Sequence, residues 1–435
     1  MIKRSTIIKD TKGLLSALPT LHLKAPPRVY SATDNARCGK AEMFVKEGDH
    51  VYLGQLIGMR DGGFFKQPIH SSVSGTVVGY EEHYHRSGKK VRFLVVENDF
   101  KDEWDPSIHD RSDEEIASLS RADFAKILED NASVGLGGSS FPTHVKFNND
   151  KTINCILINA IECEPYITAD IRLMNEEMEK VILGIQYLQI AFQCKKALIC
   201  IKKKHGTLIR VYKEYLRRFP DSGIEVCPVG NFYPQGWEIA MIKSALGIDI
   251  PTGHLPSEFG IANFNVSTAW GIYESVKHNR PVVQRYISVT GDGIKYPSNF
   301  VVRLGTPLSA LLEQCGGYRH PEKDKVVILG GPMMGASLPI DDCIITKTVT
   351  SVLVFDATKE EEAPCIRCGS CVLSCPTGLE PKQIMDAVKA FDKPRMKTLN
   401  PMRCIECGLC SYVCTSHIRV TDYIRRAKMF VKTMK

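Results

Sequence analysis

The chain has 435 residues, 43% hydrophobic and 24% charged, with a formal net charge of +7. Those values suit a globular protein of two to four domains and exclude disordered, collagen-like and coiled-coil classes. The unusual number is 16 cysteines, half of them from Cys365 onward, so a cysteine-dense tail follows a body of ordinary composition.

The leading residues, Met1-Ile-Lys-Arg-Ser-Thr, lack the apolar run and cleavage site of a secretory signal. No stretch reaches the roughly 18 apolar residues that cross a bilayer. A reducing, cytoplasmic setting is therefore expected, where dense cysteines signify metal rather than disulfides. From about Lys24 to Asp99, short apolar runs alternate with turn residues (Phe44–Val51, Gln55–Gly58, Ser72–Val78, Val91–Val96), which predicts a small β domain. Within it, Arg37-Cys38-Gly39-Lys40 places a thiol between two cations. Cys38 is read as a surface thiol, with a redox-active thiol or partner contact as the alternative.

Asp113 to Asp130 reads as one amphipathic helix, with Ile116, Leu119, Phe124, Ile127 and Leu128 as its apolar positions. It leads into Gly135-Leu-Gly137-Gly138-Ser139-Ser140-Phe141-Pro142. Three glycines let backbone N–H groups approach a phosphate or a flat ring, and Lys146 adds a point charge. A plain turn is the alternative. The apolar run from Cys155 to Asn159 predicts a buried strand, followed by Glu162 and Glu164 where open α/β sheets bind ligands. Val181 to Cys194 predicts a buried helix, Ala197 to Ile201 a second strand, and Gly206 the start of another helix. This alternation indicates a doubly wound sheet. The dinucleotide fingerprint is not matched, because the glycine loop precedes the first clear strand. Cys155 and Cys200 lie in apolar strands and are expected to be packed thiols.

In the tail, Cys365, Cys368, Cys371 and Cys375 follow a C-x2-C-x2-C-x3-C spacing, repeated by Cys404, Cys407, Cys410 and Cys414. Three cysteines at that spacing serve three corners of one cubane, and the fourth reaches the other cluster. The crossing predicts one [4Fe–4S] cluster on Cys365, Cys368, Cys371 and Cys414, and a second on Cys404, Cys407, Cys410 and Cys375. Structural zinc would instead use two C-x2-C pairs with a longer gap. The closing helix, Asp422 to Lys435, carries Arg425, Arg426, Lys428, Lys432 and Lys435. It reads as a solvated face able to meet an acidic partner or membrane surface, without the aromatic interleaving that nucleic acid binding requires.

These motifs, in order, resemble the C-subunit family of the Rnf electron-transport complex, whose core is shared with the flavin-bearing subunit of respiratory NADH dehydrogenase. The resemblance rests on Gly135–Phe147, Asn159–Tyr166 with Thr168–Met174, Tyr233–Glu238, Asn265–Thr268, Gly330–Gly335 and the double cysteine motif. It implies a multidomain α/β chain. The expected domains are a lipoyl-like barrel-sandwich (1–110), an FMN-binding domain (111–280), a β-grasp SLBB domain (281–350) and a two-[4Fe–4S] ferredoxin domain (351–435).

It also implies FMN held by Gly135, Gly137, Gly138 and Lys146, in a pocket lined by Asn159, Glu162, Glu238, Asn265 and Thr268. Glu164 would sit near an NADH ribose. Ser139-Ser140 stand where the family has Ala-Gly, Ile161 replaces an acidic residue of the respiratory homologues, and Trp237 replaces a glycine. Two readings follow. One is an NADH-dependent flavo-iron–sulfur oxidoreductase serving a partner reductase such as proline reductase, or the membrane-embedded Rnf subunits. The other is a relay protein without nicotinamide chemistry. Two clusters at about −2 each and an FMN phosphate at about −2 would bring the charge of +7 close to neutrality.

Overall fold

The computed structural model describes residues 6–33, 41–62, 66–338, 340–358 and 361–434, so Cys38 lies outside the described residues. Residues from Arg28 to Asn98 form two small antiparallel sheets. One has the order Arg28–Ala32, Lys90–Asn98, Gly75–Tyr84, His50–Val51, and the other Ala41–Met43, Leu56–Asp61, Lys66–His70. Val29, Val51, Ile57, Val77 and Leu94 fill the space between them. Inward apolar residues alternating with outward polar ones make this a sandwich with one shared core.

The central domain is an all-parallel sheet in the order Ile224–Val229, Ala197–Lys202, Cys155–Ala160, Ile261–Asn265. The middle strands are apolar at nearly every position because helices cover both faces. Met178–Phe192 and Val266–Lys277 pack on one side. They approach closely at Gly184, where an added Cβ would lie 2.0 Å from the Ala269 carbonyl oxygen. Glu238–Leu246 covers the other side through Met241 and Ile242.

The single helix expected over Asp113–Asp130 is two, Asp113–Ser118 and Arg121–Asp130. Ser112 and Ser120 each form a capping box, with Glu115 and Asp123. The second cap turns Leu119 to extended geometry and restarts the helix.

A third unit is a six-stranded sheet in the order Leu21–His22, Ser298–Arg303, Gln284–Thr290, Ser351–Asp356, Lys325–Leu329, Ala336–Leu338, packed on Leu308–Gln314. The Ser351–Asp356 strand lies inside this sheet rather than beginning the tail.

In the tail, Pro381–Lys389 packs on Val420–Thr433 around Ile384, Met385, Met396 and Ile424. Gly369 and Gly408 share a φ of 78°, each capping a short helical turn, so the sequence repeat is also a backbone repeat. Only glycine takes that conformation without strain. Among the described residues no helix is long and apolar enough to cross a membrane.

Candidate functional site

The glycine loop is closed by its own backbone, with Gly135 N–H on the Phe141 carbonyl at 2.8 Å and Ser140 N–H on the Gly135 carbonyl at 3.0 Å. It rests on the start of the Val266–Lys277 helix, where Leu136 N–H donates to the Thr268 hydroxyl at 3.0 Å. Gly137 faces Asn265 so closely that a Cβ there would sit 3.0 Å from the side-chain amide. Asn265 caps that helix through Ser267 N–H at 2.9 Å and donates to Asp170 at 2.8 Å. The Ser267 hydroxyl donates to the other oxygen of Asp170 at 2.5 Å.

At the end of the neighbouring strand, Asn159 donates to the Gly236 carbonyl at 2.9 Å. Lys146 is half-buried, donates to the Asn263 carbonyl and lies over the Phe264 ring. Burial lowers its pKa, and the charge of Glu238 opposes that shift. Gly135, Gly137, Gly138, Lys146, Asn159, Glu238, Asn265 and Thr268 therefore gather at the carboxyl ends of the parallel strands.

Glu162 is in the same place but already partnered. Lys12 reaches it from the leading segment, with Nζ 2.7 Å from the Glu162 carbonyl and 3.2 Å from Oε2. Asp170 N–H donates to Oε1 at 2.9 Å. Burial pushes the Glu162 carboxyl up to about 7, against the pull of Lys12. The leading segment is fixed there by Thr6 pairing with Tyr233 and by Tyr166 N–H on the Asp10 carbonyl at 2.8 Å.

Glu164 turns instead to the Gly330–Gly335 loop of the third unit. It accepts Met333 N–H at 3.0 Å and fills the space beside Gly331, where a Cβ would lie 2.0 Å from its Oε2. Burial pushes this carboxyl up to about 7 as well. The Tyr233 hydroxyl lies 3.5 Å from Glu164 Oε1 and donates to the Cys407 carbonyl at 2.8 Å. Tyr233, Cys407 and Leu409 form one buried apolar contact between the central domain and the tail.

The eight tail cysteines ring two separate cavities. Cys365, Cys368, Cys371 and Cys414 line one; Cys375, Cys404, Cys407 and Cys410 line the other. Among the described residues no group of three or more His, Cys, Asp or Glu side chains is arranged to hold a single metal ion. Cys365 and Cys368 are exposed, whereas Cys407 and Cys410 are buried. The first cavity thus opens outward and the second faces the central domain.

Lys12, Asp170 and Tyr233 join the site without a role that the sequence alone assigns them. Asp170 and Tyr233 stand inside the quoted motifs, where a third polar residue is the only signal. Lys12 carries none, because its partner is 150 positions away.

The glycine cradle and the amide and hydroxyl groups of Asn159, Asn265 and Thr268 fit a flavin's phosphate and ribityl oxygens, and the two cysteine rings fit two cubanes. Residues 129–274 match the Nuo51 FMN-binding domain and residues 364–418 the 4Fe-4S dicluster domain, so the chain carries an FMN-binding and a two-[4Fe–4S] unit. Residues 3–101 match the RnfC barrel sandwich hybrid domain, and 286–337 the SLBB domain.

The chain is similar to the C subunit of the Na(+)-translocating ferredoxin:NAD(+) oxidoreductase complex of Acetobacterium woodii, at 39% identity over 79% of this chain and 77% of that one. It is similar to its counterpart in the proton-translocating complex of Clostridium ljungdahlii, at 34% identity over 86% and 81%. An NAD+-reducing [NiFe]-hydrogenase structure shares the fold, with a TM-score of 0.51 and 17% identity over 74% of this chain and 64% of that one. With identity of this level over more than two thirds of both chains, the chain belongs to the family of Rnf C subunits.

Proposed function

We propose that the chain takes hydride electrons from NADH and passes them singly through two [4Fe–4S] clusters to a partner redox protein. FMN supplies the exchange between a two-electron donor and one-electron carriers. Gly135, Gly137, Gly138 and Lys146 hold its phosphate and ribityl side, and Asn159, Glu162, Glu238, Asn265 and Thr268 line its pocket. Glu164 sits near the incoming nicotinamide ribose. Cys365, Cys368, Cys371 and Cys414 ligate one cluster; Cys375, Cys404, Cys407 and Cys410 ligate the other.

The observation that carries this reading is the hydrogen bond from Tyr233 to the Cys407 carbonyl. The same hydroxyl stands 3.5 Å from Glu164, so the acidic turn reaches a cysteine of the inner cluster through this one side chain. The outer cluster's rim exposes Ile366 (69%) and Leu373 (58%), apolar side chains suited to a partner surface. That partner is a membrane-bound Rnf protein, as the relatives' complexes suggest. A proline reductase is the second reading, favoured by Thr20-Leu-His-Leu-Lys-Ala at the front of the chain.

Anaerobically reconstituted protein should reduce ferricyanide with NADH, and Glu164→Gln should lose that activity with flavin still bound. An inactive, fully flavin-loaded wild type would establish a relay without nicotinamide chemistry. Purification from native lysate separates the partners, since integral membrane subunits and a proline reductase are distinct outcomes.

A further inference from the structure

Behind the glycine loop, on the side away from Asn265, lies a cavity of about 350 Å³. Its walls come from three domains: Arg60, His70 and Arg86 of the barrel-sandwich, Gly138–Ser140 of the loop, and Ile345–Thr348 of the third unit. Of the residues assigned to the flavin only Gly138 lines it, at the turn of the loop; Gly135, Gly137, Lys146, Asn159, Asn265 and Thr268 do not. The volume is within the range of small-metabolite sites.

Its chemistry is one-sided. Arg60, Arg86 and Lys347 line it, and among the described lining residues there is no aspartate or glutamate. Lys347 is half-buried and donates to the Ala132 carbonyl at 2.8 Å. Burial, reinforced by the charge of Arg60, lowers the Lys347 ammonium to about 7. A cation held in this way lacks a counter-charge, and an anion would supply it.

Two further buried atoms on the wall have no hydrogen-bond partner, His70 Nδ1 and Ser140 Oγ. His70 already engages the Asp130 backbone, and burial lowers its pKa to about 3. Its ring is therefore neutral, and Nδ1 is an acceptor waiting for a donor. Ser140, at the back of the glycine loop, supplies the second unpartnered polar group. Arg86 donates to the Gly138 carbonyl at 3.3 Å and to the Thr348 carbonyl at 2.8 Å, bracing the loop against the far wall.

We infer that this cavity binds a small phosphate ester bearing free hydroxyls, a nucleotide or a sugar phosphate. The phosphate lies against Lys347, and a hydroxyl donates to His70 Nδ1 beside Ser140. The site is separate from the flavin and touches the back of the loop that holds it.

Calorimetric titration of the flavin-loaded, cluster-reconstituted chain tests this with AMP, ribose 5-phosphate, inorganic phosphate and adenosine. One equivalent of AMP or ribose 5-phosphate should bind, and the tighter of the two names the source. Adenosine should not bind, and inorganic phosphate should bind more weakly. Lys347→Met should weaken the ester by at least about tenfold, with cluster and flavin spectra unchanged. Should that variant fail to load its cofactors, Ser140→Gly serves instead. Its left-handed backbone, with φ of 47°, accepts glycine, and a loss of about threefold or more is expected. Absence of ester binding, equal affinity for inorganic phosphate, unchanged affinity in both variants, or displacement of flavin would each overturn the assignment.

Discussion

The Tyr233 hydroxyl donates to the carbonyl of Cys407, 174 positions later in the chain, at 2.8 Å. A central-domain side chain thereby grips the backbone of a cysteine loop. Tyr233→Phe removes the donor and leaves a buried carbonyl without its partner, at a cost of about 1–2 kcal/mol. Thermal unfolding should register that loss. Rapid-reaction spectroscopy should show slower NADH-driven cluster bleaching, with unchanged flavin content.

Lys12 and Glu162 form a pair with side-chain exposures of 4% and 6%. Lys12→Met strands the carboxylate, which should cost about 3 kcal/mol when it is charged. Because the Glu162 carboxyl stands near 7, protonation relieves the damage. Urea unfolding should show a deficit at pH 8 that shrinks markedly at pH 6.

Glu164 adds its own pH dependence. Its carboxyl rises from 4.5 to about 7 on folding, so the native state binds the proton more tightly. That contribution is complete below about pH 4.5 and is lost as pH rises through about 7. Its size is on the order of 3 kcal/mol. Glu164→Gln keeps an oxygen for the Met333 N–H and cannot titrate. Its unfolding midpoint should fall less than that of the wild type between pH 5 and 7.5.

Gly137→Ala places a Cβ about 3.0 Å from the Asn265 amide. Asn265 is held by Ser267 and Asp170 and has little freedom to retreat. Flavin per chain should drop severalfold while iron and sulfide stay constant. Equal flavin in the variant would remove Gly137 from the proposed pocket.

Cys410→Ser should lower iron from about eight to about four atoms per chain. Cys371→Ser should do the same, but with the inner cluster retained. Only the Cys371 variant should still bleach rapidly with NADH, and paramagnetic resonance of the reduced proteins distinguishes the two.

The sequence is most readable where structure is local. The cysteine repeat, the paired glycines within it and the apolar strands of the central sheet all depend on neighbours within about a dozen residues. The helix break at Ser120 is also local, yet the continuous apolar periodicity masks the second capping box. Lys12 and Lys347 are silent, and Tyr233 shows only as the first residue of a motif, since each meets its partner only after distant domains pack. Leu21–His22 likewise becomes a strand only because Phe300–Val301 offers an edge.

The exchange of fourth cysteines between the two rings bears on how the protein is made. Cys365, Cys368 and Cys371 leave the ribosome first, yet their cavity is closed by Cys414. Cys375 waits in turn for Cys404, Cys407 and Cys410. Neither ring is complete until nearly the whole tail has been synthesised, so cluster insertion has to follow translation of both motifs. A ribosome stalled between them would release a chain with two open rings rather than one finished and one missing.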